Sequence, residues 1–127
     1  MFNVFALLTA AALAFLIGAV HSVLGEIRVL RPLLAPERRQ GLLAKQETLR
    51  RVLRVSWHLV TLAWWGIAAI IAAIAVTPAD AHGTMVLIIV SLLFSVMGVV
   101  ALVASRGRHL SWIVFFAIAG LSIATIL

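Results

Sequence analysis

The chain contains no cysteine, and this absence excludes disulfides, thiolate metal sites, iron–sulfur clusters and cysteine nucleophiles. Charge is also scarce, because only 11% of the 127 residues are charged and only four residues are acidic. Hydrophobic residues make up 65% of the sequence, and the mean hydropathy is +1.21. A soluble domain is typically about 45–50% apolar, so the surplus requires lipid as solvent. The length suits one domain, residues 1–127.

Four uncharged apolar runs are each long enough to cross a bilayer core of about 30 Å as a helix. They cover residues 2–24, 55–76, 85–105 and 110–127. Backbone groups in hydrocarbon must be paired within their own segment, so each run is predicted to be helical. The first run lacks a basic region before it and is long for a signal peptide, which favours a membrane anchor. The predicted fold is an all-α integral membrane protein, a four-transmembrane-helix antiparallel bundle.

All ten basic residues fall in two of the connecting segments: Arg28, Arg31, Arg38, Arg39, Lys45, Arg50, Arg51 and Arg54 in the first, Arg106 and Arg108 in the second. The opposite connection has Asp80 as its only charged side chain. The positive-inside rule therefore predicts cytoplasmic basic segments and both termini outside. The general outline resembles that of small bacterial inner-membrane proteins, so a bacterial-type inner membrane is the expected location. The net charge of +6 is assigned to topology and anionic lipids, not to nucleic acid.

The segment 37–54 is predicted to be a basic amphipathic helix on the cytoplasmic side. Pro36 and Glu37 suit a first helical turn, and Leu42, Leu49 and Leu53 recur at helical spacing. Two interpretations stay open: a separate helix lying on the membrane surface, or a cytoplasmic extension of the second span. The sequence also leaves open whether this segment docks on lipid or on protein.

Small residues and histidines follow one stripe of each span when residues are placed about 100° apart. In the first span this stripe is Asn3, Leu7, Ala10, Ala14, Gly18, His21, Gly25 and Arg28; in the second it is His58, Leu62, Trp65, Ala69, Ala72 and Val76; in the third it is Ser91, Ser95, Gly98, Leu102 and Ser105. Such stripes mark closely packed faces in membrane helices. The fourth span has two candidate faces, one with His109 and Trp112 and one with Ser111 and Ser122. A homodimer would use both.

Antiparallel threading gathers three histidines at the cytoplasmic end of the predicted bundle. The expected site contains His21, His58, His109 and Glu26, lined by Ser22, Gly18, Gly25, Trp57, Thr61, Trp65 and Trp112. Glu26 lies about 140° around the helix from His21 and shares a face with Ser22 instead. The plainer interpretation is that the histidines pack at the interface, the tryptophans form an aromatic belt, and the arginines set topology.

The functional hypothesis is a metal- or haem-binding site, with haem b or a divalent cation as the ligand. One alternative is a non-catalytic accessory subunit of a larger membrane assembly. Another is a small proton-coupled transporter, although small multidrug exporters depend on a carboxylate in the first span and residues 2–24 have none. A membrane enzyme with a histidine acid–base group is the least favoured; a phosphate or anionic headgroup would then contact Arg28, Arg51, Arg54, Arg106 and Arg108.

Overall fold

The computed structural model describes residues 3–38, 40–78 and 80–127. The expected start of the first span at Phe2, and the place of Arg39 in the amphipathic segment, lie outside these residues. Six α-helices are found in the described part of the chain: α1 (Val4–Gly25), α2 (Arg31–Leu34), α3 (Leu42–Lys45), α4 (Glu47–Ala75), α5 (Ala81–Ser105) and α6 (Ser111–Ala124). A π-helical turn, Glu26–Leu30, joins α1 to α2, and Pro36–Arg38 forms a 3₁₀ turn.

Three of the helical segments are long and apolar enough to cross a membrane: Val4–Leu34, Glu47–Ala75 and Ala81–Ser105. The fourth predicted span is shorter than expected, because α6 has 14 residues. At 1.5 Å per residue it extends about 21 Å, against the roughly 30 Å of a hydrocarbon core. The all-helical prediction is confirmed for the described residues. The antiparallel four-span bundle stays a prediction.

The first helical segment continues past its predicted end and changes its buried face on the way. Leu7, Ala10 and Ala14 are fully buried, and Gly18 and Gly25 are buried too, as the stripe predicted. The next buried residues are Leu30 and Leu34, so the stripe advances by five residues across the π-helical turn. The predicted continuation to Arg28 is wrong, and Arg28 is exposed. Pro32 lacks the N–H that an α-helix needs, and a widened turn directly before it lets the segment continue.

The amphipathic segment forms a helical extension of the second predicted span only from Glu47 onward. Glu47–Ala75 is one uninterrupted helix, which agrees with the extension interpretation of residues 47–54. A separate surface helix beginning at Glu37 is wrong, because the backbone turns at Gly41 with φ of +57°. That conformation suits glycine and ends regular helix there. The described part of 37–46 contains only one short turn on each side of Gly41.

The buried face of α4 differs from the predicted one by a single position. The buried residues are Thr61, Trp64, Ala68, Ile71 and Ala75, whereas the predicted residues Leu62 and Val76 are 55% and 74% exposed. Both stripes can be drawn from His58. The observed one continues to Thr61 at i+3 and the predicted one to Leu62 at i+4, and these two positions lie on the same helix face as His58. Because residues 59–75 of this helix are almost entirely apolar, hydrophobicity alone does not choose between the two stripes.

The residues group into two compact units, Met1–Ile17 with Trp65–Leu127 (unit 1) and Gly18–Trp64 (unit 2). In unit 1, α5 packs on α6 through a hydrogen bond from Ser91 Oγ to the Ala119 carbonyl, 3.0 Å, and a Phe94–Phe115 ring contact. Arg106 and Gly107 make the connecting turn with positive φ, and the Gly107 N–H donates to the Leu102 carbonyl. On α6 the serine side is buried: Ser122 is fully buried together with Phe115, Ile118 and Ala119. Of the two candidate faces, the hydroxyl-bearing one therefore packs inward.

Candidate functional site

A polar centre forms in unit 2, where the end of α1 faces α4. Ser22 and Glu26 stand one turn apart on the first helical segment, and the His58 imidazole lies between them. The Ser22 Oγ is 2.6 Å from Nδ1 of His58, and Nε2 of the same ring is 3.4 Å from Oε2 of Glu26. If Nδ1 accepts the serine hydroxyl hydrogen, the neutral ring carries its own hydrogen on Nε2. Its contact with Glu26 Oε2 is at ion-pair distance and is not a formed hydrogen bond. Both ring nitrogens of His58 therefore have protein partners.

The Glu26 carboxylate collects three cationic or potentially cationic groups. Arg54 Nε is 3.3 Å from Oε2, Arg31 Nε is 3.4 Å from Oε1, and His58 approaches Oε2 as described above. The Glu26 side chain is 21% exposed, whereas Arg31 and Arg54 are 68% and 48% exposed. A part-buried carboxylate needs such partners, since its uncompensated burial is costly. The prediction that Glu26 shares a face with Ser22, and not with His21, is confirmed by their common contact with His58.

His21 lies in an aromatic environment next to this centre. Its ring stacks on Trp57 with a centroid distance of 4.6 Å and an interplanar angle of 3°, and it meets Trp64 at 5.0 Å. The Trp57 indole N–H donates to the His21 backbone carbonyl at 3.1 Å. The His21 Nε2 atom is buried and has no hydrogen-bond partner among the described residues. The imidazole of His21 is therefore held by ring contacts with Trp57 and Trp64, and its Nε2 makes no hydrogen bond to the described residues.

Two glycines of the predicted lining contact α4, and one of them, Gly25, allows the close approach of a side chain from that helix. A β-carbon on Gly25 would overlap the Trp57 indole, so only glycine leaves room for the ring. Gly18 exposes its carbonyl, which accepts a hydrogen bond from the Thr61 hydroxyl at 3.3 Å. One interhelical contact thus contains Gly18, Ser22, Gly25, Trp57 and Thr61. Their predicted role as the lining of a ligand site stays a prediction.

The other predicted members of the site belong to unit 1 and have local partners there. His109 Nδ1 lies 2.8 Å from Ser111 Oγ, and the Trp112 indole N–H reaches the Gly107 carbonyl at 3.5 Å. Trp65 donates to the Phe15 carbonyl at 3.1 Å and stacks on the Phe15 ring. Sequence reasoning selected Trp65, but its neighbour Trp64 is the tryptophan that contacts His21.

The metal-site prediction receives no support from this arrangement. Within residues 3–38, 40–78 and 80–127, no group of three or more His, Cys, Asp or Glu side chains is placed to hold a metal ion. Haem ligation by His21 and His58 would require both rings to direct a free nitrogen at a common space. Here Nδ1 and Nε2 of His58 already face Ser22 and Glu26. Metal and haem binding stay predictions.

Unit 2 also holds a basic cavity that the site prediction covered only in part. This cavity of about 310 Å³ is lined by Leu34, Glu47, Arg50, Arg51, Arg54 and Val55. A neighbouring cavity of about 260 Å³ is lined by Thr48, Arg51, Val52, Val55 and Ser56. Arg51 and Arg54 were predicted to contact phosphate or an anionic headgroup, whereas Arg50 and Arg31 were treated only as topology residues. The sequence contained a signal for Arg50, because residues 47, 50, 51 and 54 lie on one helix face.

The sequence matches no protein-family model, and neither the curated proteins nor the solved structures include a chain with significant similarity to it. The functional argument therefore depends on the residues and contacts described above.

Proposed function

We propose that this protein is a small multi-pass protein of a bacterial-type inner membrane that acts without catalysis, as an accessory or stabilising subunit of a larger membrane assembly. In this proposal the basic segments lie in the cytoplasm and both termini lie outside.

The exposed apolar surface supports the membrane location. In the three long segments, only 28%, 22% and 28% of the most apolar window is buried inside the protein. Side chains such as Leu92, Val103 and Leu62 remain 63%, 70% and 55% exposed. Leaving so much hydrocarbon in water is unfavourable by about 25 cal/mol for each Å². Lipid or other membrane helices are the environment that such surfaces require.

The use of the polar groups supports a non-catalytic role, and this observation carries the proposal. Ser22 contacts His58, Glu26 contacts Arg54 and His58, and the side chains of Trp57 and Thr61 donate to backbone carbonyls of the first helix. Each of these contacts joins the first helical segment to α4. The centre therefore resembles a set of interhelical hydrogen bonds and ion pairs more than an open site awaiting a substrate. Interhelical hydrogen bonds stabilise membrane helix pairs.

The length of α6 favours a partner. A helix of about 21 Å must be accommodated by a thinner bilayer or by neighbouring protein. A larger assembly would supply such neighbours.

Topology is directly testable because the chain has no cysteine. Single variants Gln46→Cys and Thr77→Cys place one thiol on each predicted side, and both positions are exposed. A membrane-impermeant maleimide applied to intact cells should label Thr77→Cys, and Gln46→Cys only after permeabilisation. The reverse pattern, or full extraction of the protein by alkaline carbonate, would refute the membrane arrangement.

The accessory role is tested on the tagged full-length protein, solubilised in a mild detergent. We expect a complex larger than the chain or its own oligomers, with a defined stoichiometry by native mass spectrometry and cross-links to one partner. A chain that stays monomeric or only self-associates would contradict the accessory role. A Soret band, or a stoichiometric metal by elemental analysis, would instead favour the ligation hypothesis.

A further inference from the structure

The cavity at the start of α4 combines excess positive charge with an apolar wall. Its lining contributes three guanidinium groups and one carboxylate, while Leu34 and Val55 supply the aliphatic part. Glu26 outside the lining pairs with Arg54, so the three positive charges face two negative ones and an excess of one positive charge remains. About 310 Å³ lies at the small end of ligand cavities, which span roughly 300–1,000 Å³. A compact anion with a single negative charge suits both the volume and the charge.

The arginines are oriented by intramolecular contacts that leave donors available. Arg50 Nη1 donates to the Leu43 carbonyl at 2.7 Å, Arg51 Nη2 pairs with Glu47 at 2.7 Å, and Arg54 uses Nε toward Glu26. A guanidinium has five N–H donors in a rigid fork. Each group is therefore held by one edge and retains further N–H groups for an acceptor such as a phosphate oxygen.

The position of the cavity along α4 matches the depth of a lipid phosphate. Its lining on this helix runs from Glu47 to Val55, and the uncharged stretch of the helix begins directly after Arg54. In the proposed membrane arrangement, the arginines then lie at the headgroup level. The neighbouring cavity shares Arg51 and Val55 and adds Val52, so apolar side chains lie beside the arginines at the same level of the helix, where the uncharged stretch begins. A phospholipid likewise carries its apolar part directly beside its charged headgroup.

We propose that this cavity is a binding site for the phosphate of an anionic phospholipid, with Arg50, Arg51 and Arg54 as donors and Val52 and Val55 contacting the first part of an acyl chain. The inference rests on the proposed membrane location and is independent of the accessory role. It assigns to three of the basic residues a specific ligand beyond their contribution to topology.

The test measures phospholipid binding to the full-length protein in neutral detergent by native mass spectrometry. Phosphatidylglycerol, with one net negative charge, is titrated against zwitterionic phosphatidylcholine. Each juxtamembrane arginine contributes about 1 kcal/mol toward anionic lipid, or about fivefold in affinity. The double variant Arg51→Gln with Arg54→Gln should therefore bind phosphatidylglycerol about 30-fold more weakly and leave phosphatidylcholine binding unchanged.

A matched control changes the same charge elsewhere. Arg38→Gln with Lys45→Gln also removes two positive charges, at positions that line neither cavity, and it should keep phosphatidylglycerol affinity within about twofold. Equal losses in both double variants would show general surface attraction and overturn the site. Val55→Trp narrows the cavity without changing its charge and should also weaken binding, and unaltered binding would overturn the cavity as the location.

Two further outcomes separate the sources of phosphate and the underlying proposals. Retention of phosphatidylglycerol in a large excess of inorganic phosphate supports a lipid ligand, whereas full displacement would overturn it in favour of free phosphate. Unfolding of each variant in SDS, followed by tryptophan fluorescence, shows whether a lost signal reflects lost structure. Failure of the lipid test with intact cysteine-labelling topology would refute this inference alone and leave the membrane location standing.

Discussion

Replacing Gly25 by alanine adds only one methyl group, but it should strongly destabilise the contact between α1 and α4. The added β-carbon would lie 2.6 Å from Cζ2 of Trp57 and nearer still to two other ring atoms. Non-bonded heavy atoms pack comfortably from about 3.5 Å, so the indole must retreat by about 1.5 Å to clear its nearest ring atom. That movement would lengthen the 3.1 Å hydrogen bond to the His21 carbonyl beyond a useful distance.

The expected cost follows from these two effects. Overpacking costs about 1–3 kcal/mol, and loss of the hydrogen bond adds about 1 kcal/mol. We therefore expect Gly25→Ala to lower the free energy of unfolding by about 2–4 kcal/mol relative to the unchanged protein. A second glycine-to-alanine variant serves as a matched control. Gly66→Ala is that control, because Gly66 lies within α4 and has nothing within 4 Å of the added carbon. It should be neutral or stabilising by up to about 1 kcal/mol.

The assay is equilibrium unfolding in mixed detergent and SDS micelles, monitored by tryptophan fluorescence. If Gly25→Ala and Gly66→Ala unfold at the same SDS fraction, the indole does not pack on Gly25 and the described contact is incorrect. A double variant carrying Gly25→Ala and Trp57→Leu adds an internal check. Removal of the ring should recover part of the loss, giving a coupling energy in a double-mutant cycle.

Three further substitutions test the polar centre around Glu26, the α5–α6 contact and the N-terminal cap of α5, all by the same unfolding assay. Glu26→Gln removes the charge shared by its three partners and should cost about 1–2 kcal/mol, whereas Glu37→Gln, at an exposed position, should stay within about 0.5 kcal/mol; equal effects would contradict the centre. Ser91→Ala should cost about 0.6 kcal/mol through the lost bond to Ala119, and no change beyond error would argue against that bond. Asp80→Ala removes the carboxylate that accepts the Gly83 N–H at 2.6 Å and should cost about 1 kcal/mol, with reduced helicity by circular dichroism as a second readout.

Much of the helical architecture was predictable from the sequence, because in an apolar environment a segment must pair its own backbone N–H and C=O groups. Uncharged runs of spanning length must satisfy their own N–H and C=O groups, and the described helices follow these runs. The buried stripe of α1 as far as Gly25 was predictable as well, since its small residues recur at helical spacing. The cap at Asp80 was missed, although an aspartate just before an apolar run is a known N-terminal signal.

The composition of the candidate site was predictable only in part. Ser22, Glu26 and His58 were selected by helix face and depth, and the structure joins all three. Trp64 was missed because residues 59–75 of α4 are almost entirely apolar. Helical periodicity therefore could not indicate which of Trp64 and Trp65 is buried. His109 was included by depth alone, and it contacts Ser111 within the other unit.

By itself, the sequence determined which segments are helical, that they are long and apolar, and where positive charge accumulates. These properties depend on local composition and on backbone hydrogen bonding. Only the tertiary structure decided that the π-helical turn shifts the buried stripe from Gly25 to Leu30, and that Glu26 pairs with Arg31, Arg54 and His58. The physical reason is that a single inserted residue rotates all later side chains by about 100°, and pairing between distant residues depends on that rotation.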